Sequence, residues 1–169
     1  MSSTDDEILE VVDGDNNVTG MATRAEIHHR CLFHRAVHLF VFNRAGEIYV
    51  QRRSWHKDCF PGVLDSSAAG HVEPGESYEN AAIRELREEL RISCELKEVL
   101  RLRASEVTDH EHVVLYGAVT DCEPNPNPDE IQAGAFFKPE DLTAHMAGAP
   151  EDFVPVFIHL WQAYMREGN

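Results

Sequence analysis

GHVEPGESYENAAIRELREELRI, from Gly70 to Ile92, is the stretch whose reading decides the fold. Pro74 and Gly75 interrupt regular structure near its start, and Ser77 then supplies a side-chain oxygen able to cap a helix running to about Leu90. In that helix Ala82, Ile83, Leu86 and Leu90 share one side. At about 100° per residue, Glu85, Glu88 and Glu89 span roughly 100° of the circumference on another side. One face is therefore built to pack while the other gathers negative charge. Like charges three and four residues apart repel and cost helix stability unless a cation or solvent screens them. Magnesium offers that screening, because it takes oxygen ligands and fills its shell with waters and phosphate oxygens beside one or two carboxylates; manganese is the alternative ion.

Working outward, Glu7 to Asp13 and Val18 to Ala22 flank the turn-forming string Gly14, Asp15, Asn16, Asn17 and predict a hairpin. A short helix is expected at Thr23 to His29, then a second hairpin from Ala36 to Phe42 and Glu47 to Arg52 across Asn43 to Gly46. Val63 to Ala69 reads as a strand ahead of the acidic helix. Glu95 to Arg103, Val113 to Thr120 and Ile131 to Phe137 read as strands after it, with the Pro-rich loop Glu123 to Pro128 before the last. Phe153, Phe157, Leu160, Trp161 and Tyr164 recur at helical spacing, so a C-terminal amphipathic helix should bury them as core.

The 169 residues suit a single domain spanning 1–169. Hydrophobic residues at 43% and charged residues at 27% are near the globular average, and no apolar run approaches the roughly 20 residues of a membrane helix. The start, Met1 to Glu10, is Ser-rich and acidic and lacks the pattern of a secretory signal, which predicts a cytoplasmic protein. Cys31, Cys59, Cys94 and Cys122 are widely spaced, without a Cys-x-x-Cys pair, and read as reduced thiols; Cys59 and Cys94 are expected to be buried. A formal net charge of -15 and the lack of a basic run exclude long nucleic acid as a partner. A small anionic substrate remains compatible where local cations and a metal offset the charge. The N-terminal hairpin offers a sheet edge for a homodimer.

The Gly70 to Ile92 stretch resembles the Nudix box, which asks for Gly, then Glu six positions on, then, after seven intervening residues, Arg-Glu-apolar-x-Glu-Glu-x-Gly-apolar. Gly70, Glu76, Arg84, Glu85, Leu86, Glu88, Glu89 and Ile92 satisfy every fixed position but one. At ordinary residue frequencies such a match arises by chance on the order of a few times per million chains of this length. The departure is Arg91, where the family usually has a Gly suited to ending the helix in a left-handed conformation. Phe42 to Gly62, FNRAGEIYVQRRSWHKDCFPG, is similar to the hairpin before the box in the branch that includes isopentenyl diphosphate isomerase. The resemblance implies an α/β/α sandwich with a mixed, partly parallel sheet and an extra N-terminal hairpin.

It also implies roles. Glu88 and Glu89 should coordinate magnesium, Glu85 should bind a metal or assist a metal-bound water, and the Gly70 carbonyl should contribute to the metal site; the three glutamates are the catalytic candidates. Glu76 and Arg84 should pair as architecture. Arg53 and Lys57 match cations that hold the isomerase's diphosphate and are the substrate-binding candidates. The implied activity is magnesium-dependent cleavage of a diphosphate linkage in a small phosphorylated metabolite, foremost a nucleoside diphosphate or triphosphate derivative. Trp55, Phe60 or the Pro-rich loop are candidates to contact the attached group.

Two other readings compete. The isomerase branch shares His34 and His71 as metal-ligand positions, but it places Cys where this chain has Ala69, and its later glutamates align with His110 and His112. A silent nucleotide-binding sensor would use the same cleft, yet has no evident need for three clustered acids. His28, His29, His34, His71, His110 and His112 form a further candidate metal set, although magnesium itself favours the glutamates.

Overall fold

The computed structural model describes residues 6–167, so residues 1–5 of the acidic start read as lacking a leader lie outside the described residues. Strands β1 (Ile8–Val12) and β2 (Val18–Thr23) pair antiparallel as the expected hairpin. Its turn is closed by the Asp13 carboxylate, which accepts from the backbone N–H groups of Asp15 and Asn17 at 2.9 Å each. Thr23 then caps α1 (Arg24–Arg30), its hydroxyl accepting from the Glu26 N–H at 3.2 Å.

The main sheet begins with β3 (His34–Phe42) and β4 (Ile48–Arg53), joined through a turn in which Gly46 adopts φ +79°. The single strand expected over Val63 to Ala69 is two short ones, β5 (Leu64–Asp65) and β6 (Ala68–His71). Ser66 and Ser67 divide them, because their buried hydroxyls hold other backbone. Ser67 Oγ donates to the Tyr49 carbonyl at 2.5 Å and accepts from the Val41 N–H at 2.8 Å.

The acidic helix is α2 (Tyr78–Leu90), capped by Ser77 as its sequence predicts. Arg91 takes the left-handed conformation, φ 55°, that the usual Gly would supply, and its N–H donates to the Arg87 carbonyl at 3.1 Å. The helix thus ends at the expected place, at the roughly 1–2 kcal/mol that a side chain costs in that region. Strands β7 (Lys97–Leu102), β8 (Glu111–Val119) and β9 (Ile131–Phe137) follow, then α3 (Pro139–Gly148), absent from the sequence reading, and α4 (Pro155–Arg166).

The path β5-β4-β3-β8-β7 carries β6 on β3 and β9 on β4; β3 and β8 run parallel and all other pairs are antiparallel. Alternation along β3 sends Val37, Leu39 and Val41 toward Ala82, Leu86 and Leu90 of α2 on one side. Phe40 and Phe42 meet Leu142 of α3 and Phe157, Leu160 and Trp161 of α4 on the other. Helices on both faces of a mixed sheet give the α/β/α sandwich. The C-terminal aromatics are core, with Phe157, Leu160 and Trp161 at most 1% exposed; burying a Phe or Leu of this kind stabilises by roughly 1.5–3 kcal/mol. Among the described residues no helix is long and apolar enough to cross a membrane.

Candidate functional site

The sequence of α2 folds with its apolar face on the sheet, and this sets its carboxylates at unequal depths. Glu85 and Glu89 are buried against β6, whereas Glu88 stands at the rim with a largely exposed side chain. A side chain at Gly70 would run into the end of the Glu85 side chain, which would have to move from its place beside Arg84 to make room. Glu89 Oε2 accepts from Gln51 Nε2 at 3.0 Å and from the Ala69 N–H at 3.2 Å. Arg84 pairs with Glu76 as expected, through Nε at 3.1 Å and Nη2 at 2.9 Å, and also reaches the His71 carbonyl at 2.9 Å and Glu85 at 2.5 Å. It locks the glycine loop, the helix and one catalytic candidate together.

Two buried acids so close are electrostatically unfavourable when both are charged. Burial pushes Glu85 up to about 7 although Arg84 pulls it down, and burial together with the neighbouring Glu85 charge pushes Glu89 up to about 8. A dication held by their oxygens and the Gly70 carbonyl would relieve that cost. The donors are all oxygen, so the set fits a hard cation. An open cleft of about 490 Å³ faces these carboxylates, and Lys57, Asn127 and Glu130 line its far side. Lys57 is ion-paired with Glu130. Asn127 belongs to the Pro-rich loop named as a candidate to contact the attached group, whereas Glu130 lies two residues beyond that loop and no spacing in the sequence marks it. The loop is placed by the helix it covers, with the Asn125 and Asn127 N–H groups donating to the Leu90 and Glu89 carbonyls at 2.9 and 2.7 Å.

Arg53, the other proposed phosphate ligand, stands deeper. Its Nη1 donates to Asp65 at 3.0 Å, Nε to the Cys59 and Phe60 carbonyls at 3.3 and 3.2 Å, and Nη2 to Cys59 at 3.0 Å. With five N–H donors in a guanidinium, these contacts leave two for a ligand. The strand is irregular between Arg52 and Arg53, and Arg52 points away, donating to the Gly62 carbonyl at 2.7 Å. Arg53 and Lys57 both line a second, inner cleft of about 200 Å³. Lys57, Arg24, Ala69, Gly70 and His71 border both spaces, so the two clefts adjoin. Phe60 lines the inner one and Trp55 lies over Gly62. Cys59 and Cys94 are half-buried, less enclosed than expected, and all four cysteines are free.

Of the six candidate histidines the fold gathers three. His28, His34 and His71 each present a ligand atom within 4.8 Å of the others. Nε2 of both His28 and His34 is buried without a hydrogen-bond partner. The parallel register sets His34 beside Glu111, whose Oε1 lies 3.5 Å from Nε2 of His34 and of His71. The resemblance to the isomerase branch places His110 and His112 at this site; instead Glu111 faces it, while His112 Nε2 contacts the Asp13 carbonyl at 2.9 Å and His110 stacks on Phe33. Burial together with repulsion from His34 and His71 lowers His28 to about 4. Burial also disfavours charged His71, but bonds and charge from Glu111 and Glu7 outweigh it and raise the ring to about 9. Three imidazoles and a carboxylate, two of the nitrogens orphaned, suit a transition metal.

Comparison with known proteins follows the same lines. The NUDIX domain family model matches residues 32–157. The chain is 31% identical to an isopentenyl-diphosphate Delta-isomerase of Serratia proteamaculans, over 90% of this chain and 88% of that one. It is 36% identical to an uncharacterized Nudix hydrolase of Pseudomonas aeruginosa, over 82% and 83% respectively. The crystal structure of DR0079 from Deinococcus radiodurans superposes with a TM-score of 0.76 at 32% identity, covering 84% of this chain and 90% of that one.

Proposed function

The chain belongs to the Nudix family as a diphosphate hydrolase, and on that premise we propose that it uses magnesium to cleave the diphosphate linkage of a small phosphorylated metabolite, foremost a nucleoside diphosphate or triphosphate derivative. The observation that carries this reading is the pair of buried carboxylates, Glu85 against Gly70 and Glu89 on the Ala69 N–H, beneath an open cleft bordered by cations. Bound there, magnesium would polarise a phosphoryl oxygen and lower the pKa of water. Glu89, fixed by Gln51 and Ala69, is a metal ligand of constant position, and the rim carboxylate of Glu88 completes the set. Glu85 lies between Arg84 and Gly70, where it holds either the metal or the attacking water's proton. Arg24, Arg53, Lys57 and Arg84, four of the fifteen Lys and Arg residues, surround the two clefts of this acidic protein and attract the anion. The free thiols suit a reducing cytoplasm.

The isomerase reading draws on the isomerase relatives and on the His28, His34, His71 and Glu111 cluster. Against it stands Ala69, which lines both clefts and offers no proton donor or acceptor for moving a double bond. A panel of nucleoside diphosphates and triphosphates, nucleotide sugars and isopentenyl diphosphate separates the two. We expect magnesium-dependent release of phosphate or pyrophosphate from at least one member and no dimethylallyl diphosphate from isopentenyl diphosphate. Efficient formation of dimethylallyl diphosphate would transfer the protein to the isomerase class.

A further inference from the structure

Two of the four free thiols sit on neighbouring segments although they are far apart in the chain. Cys94 lies in the connection from α2 to β7, and Cys122 in the bend after β8 where the Pro-rich loop begins. These segments run antiparallel and are fixed side by side at both ends. At one end Lys97 of β7 is the register partner of Gly117 of β8. At the other the Asn125 and Asn127 N–H groups donate to the Leu90 and Glu89 carbonyls at 2.9 and 2.7 Å. Between the two, Glu95 and Val119 border one surface groove. Cys94 falls three residues before Lys97 and four after Leu90; Cys122 falls three before Asn125 and five after Gly117, so each occupies the middle of the same antiparallel stretch. Electrostatics agree with that placement. Burial raises the Cys94 thiol above its ordinary value, and negative charge on Cys122 raises it further, an effect that reaches only a short distance.

Both residues stand on backbone that can adjust. The stretches 91–96 and 120–127 hold neither helix nor strand, so the roughly 4.4–6.8 Å between Cα atoms that a disulfide needs can be reached without breaking a ladder. Cys122 is exposed, whereas Cys94 is half-buried against the core cluster that includes Leu86 and Leu90 of α2. What the pair would join matters for the outer cleft. The loop that follows Cys122 carries Asn127 and leads to Glu130 on the far wall of that cleft, and it is attached to α2 through the two backbone bonds to Glu89 and Leu90.

We infer that Cys94 and Cys122 form a redox modification site, at which a small-molecule disulfide such as oxidised glutathione converts the two thiols to an intramolecular disulfide that clips the Pro-rich loop to the end of α2. The exposed Cys122 thiolate attacks one sulfur of glutathione disulfide, forming a mixed disulfide and expelling one glutathione thiolate. Cys94 then gives up its proton and attacks Cys122 Sγ, which breaks the mixed disulfide and expels the second glutathione thiolate. Two cysteines are oxidised and one glutathione disulfide is reduced to two molecules of glutathione, which take up the two thiol protons. Because Cys122 is exposed, reduced glutathione can reach the bond and reverse the exchange, so the clip is labile rather than a permanent part of the fold. It stands whether or not the protein hydrolyses a diphosphate, since neither the bond nor its hold on the loop depends on substrate.

Incubation of the full-length protein with glutathione disulfide, followed by alkylation and peptide mapping without reduction, tests the bond itself. The peptide holding Cys94 should be found joined to the peptide holding Cys122. Cys94→Ser should stop at the first step and retain glutathione on Cys122. In the oxidised native protein the Asn125 and Asn127 amides should exchange with solvent more slowly by NMR, and the melting temperature should rise by at least about 4 °C, with dithiothreitol reversing both. Glutathione held stably on Cys122 of the native protein, a bridge between other cysteines, no reaction at either residue, or a bridge that leaves both the loop amides and the melting temperature unchanged each overturns the inference.

Discussion

Glu89→Gln should lower magnesium-dependent turnover by more than about a hundredfold, beyond the 10–100-fold that loss of an outer-sphere partner costs. The same change should not unfold the protein. In the absence of metal, Glu89 is a buried acid raised to about 8 and Glu85 one raised to about 7, against an ordinary value near 4.5. A folded-state pKa above the unfolded one means that the native state holds protons the unfolded state has released. The pair therefore costs nothing below about pH 4.5 and destabilises progressively as pH rises from there through about 8. Magnesium offsets that cost, so the rise in melting temperature it produces should be larger at pH 8 than at pH 5.5. Gln has the size of Glu without its charge and keeps a carbonyl oxygen for Gln51 and Ala69. The metal-free variant should accordingly melt no lower than the native protein at pH 8, and its response to magnesium should shrink. Near-normal turnover in a variant with native circular dichroism would remove Glu89 from the metal site.

Arg53→Ala and Lys57→Ala should separate two roles that look alike in sequence. Both are expected to weaken binding of intact diphosphates more than of monophosphate analogues, since Arg offers a fork and Lys a point charge to the same phosphates. Their effects on folding should differ. Asp65 is only 2% exposed in its side chain and Arg53 holds it, so deleting the guanidinium leaves a buried carboxylate without its cation, a loss of about 3–5 kcal/mol. Lys57 pairs with a partly exposed Glu130, and its removal should change stability by about 1 kcal/mol or less. In a domain of this size 1 kcal/mol moves the melting temperature by about 2–4 °C, so the difference is readable by calorimetry. Native affinity for diphosphates in both variants, with the metal bound, would rule out the clamp. Equal melting temperatures would refute the structural role of Arg53.

What was legible in the sequence was whatever periodicity governs. The acidic face of α2, its Ser77 cap and the buried C-terminal aromatics follow from helical spacing, and the carboxylates of Glu85 and Glu89 are local to that helix. Their unequal burial was not legible, because it depends on Gly70 and Gln51 arriving from other strands. The phase of β8 is not legible in the sequence, for a local reason. Asp109 and His110 both take positive φ, 52° and 64°, and this turn sets which side chain begins the strand facing inward. Two successive left-handed residues that are not Gly give no clear warning. Helix α3 escaped because only Leu142 and Met146 of its ten residues are buried, though Pro139 at its first position was a usable signal. The contact of His38 Nδ1 with Ser66 Oγ joins residues 28 positions apart through a strand break, and no spacing rule connects them.

Central to this account is that water attacks phosphorus under the control of the α2 carboxylates. The most direct measurement is turnover of the best substrate from the panel in water enriched in 18-oxygen, with the products followed by 31-phosphorus NMR and mass spectrometry. The account predicts one solvent oxygen in a phosphate-bearing product for each turnover, with magnesium required and the label absent when a chelator is added. Product formation without solvent oxygen on phosphorus, or labelling that persists unchanged in the chelator, would contradict it.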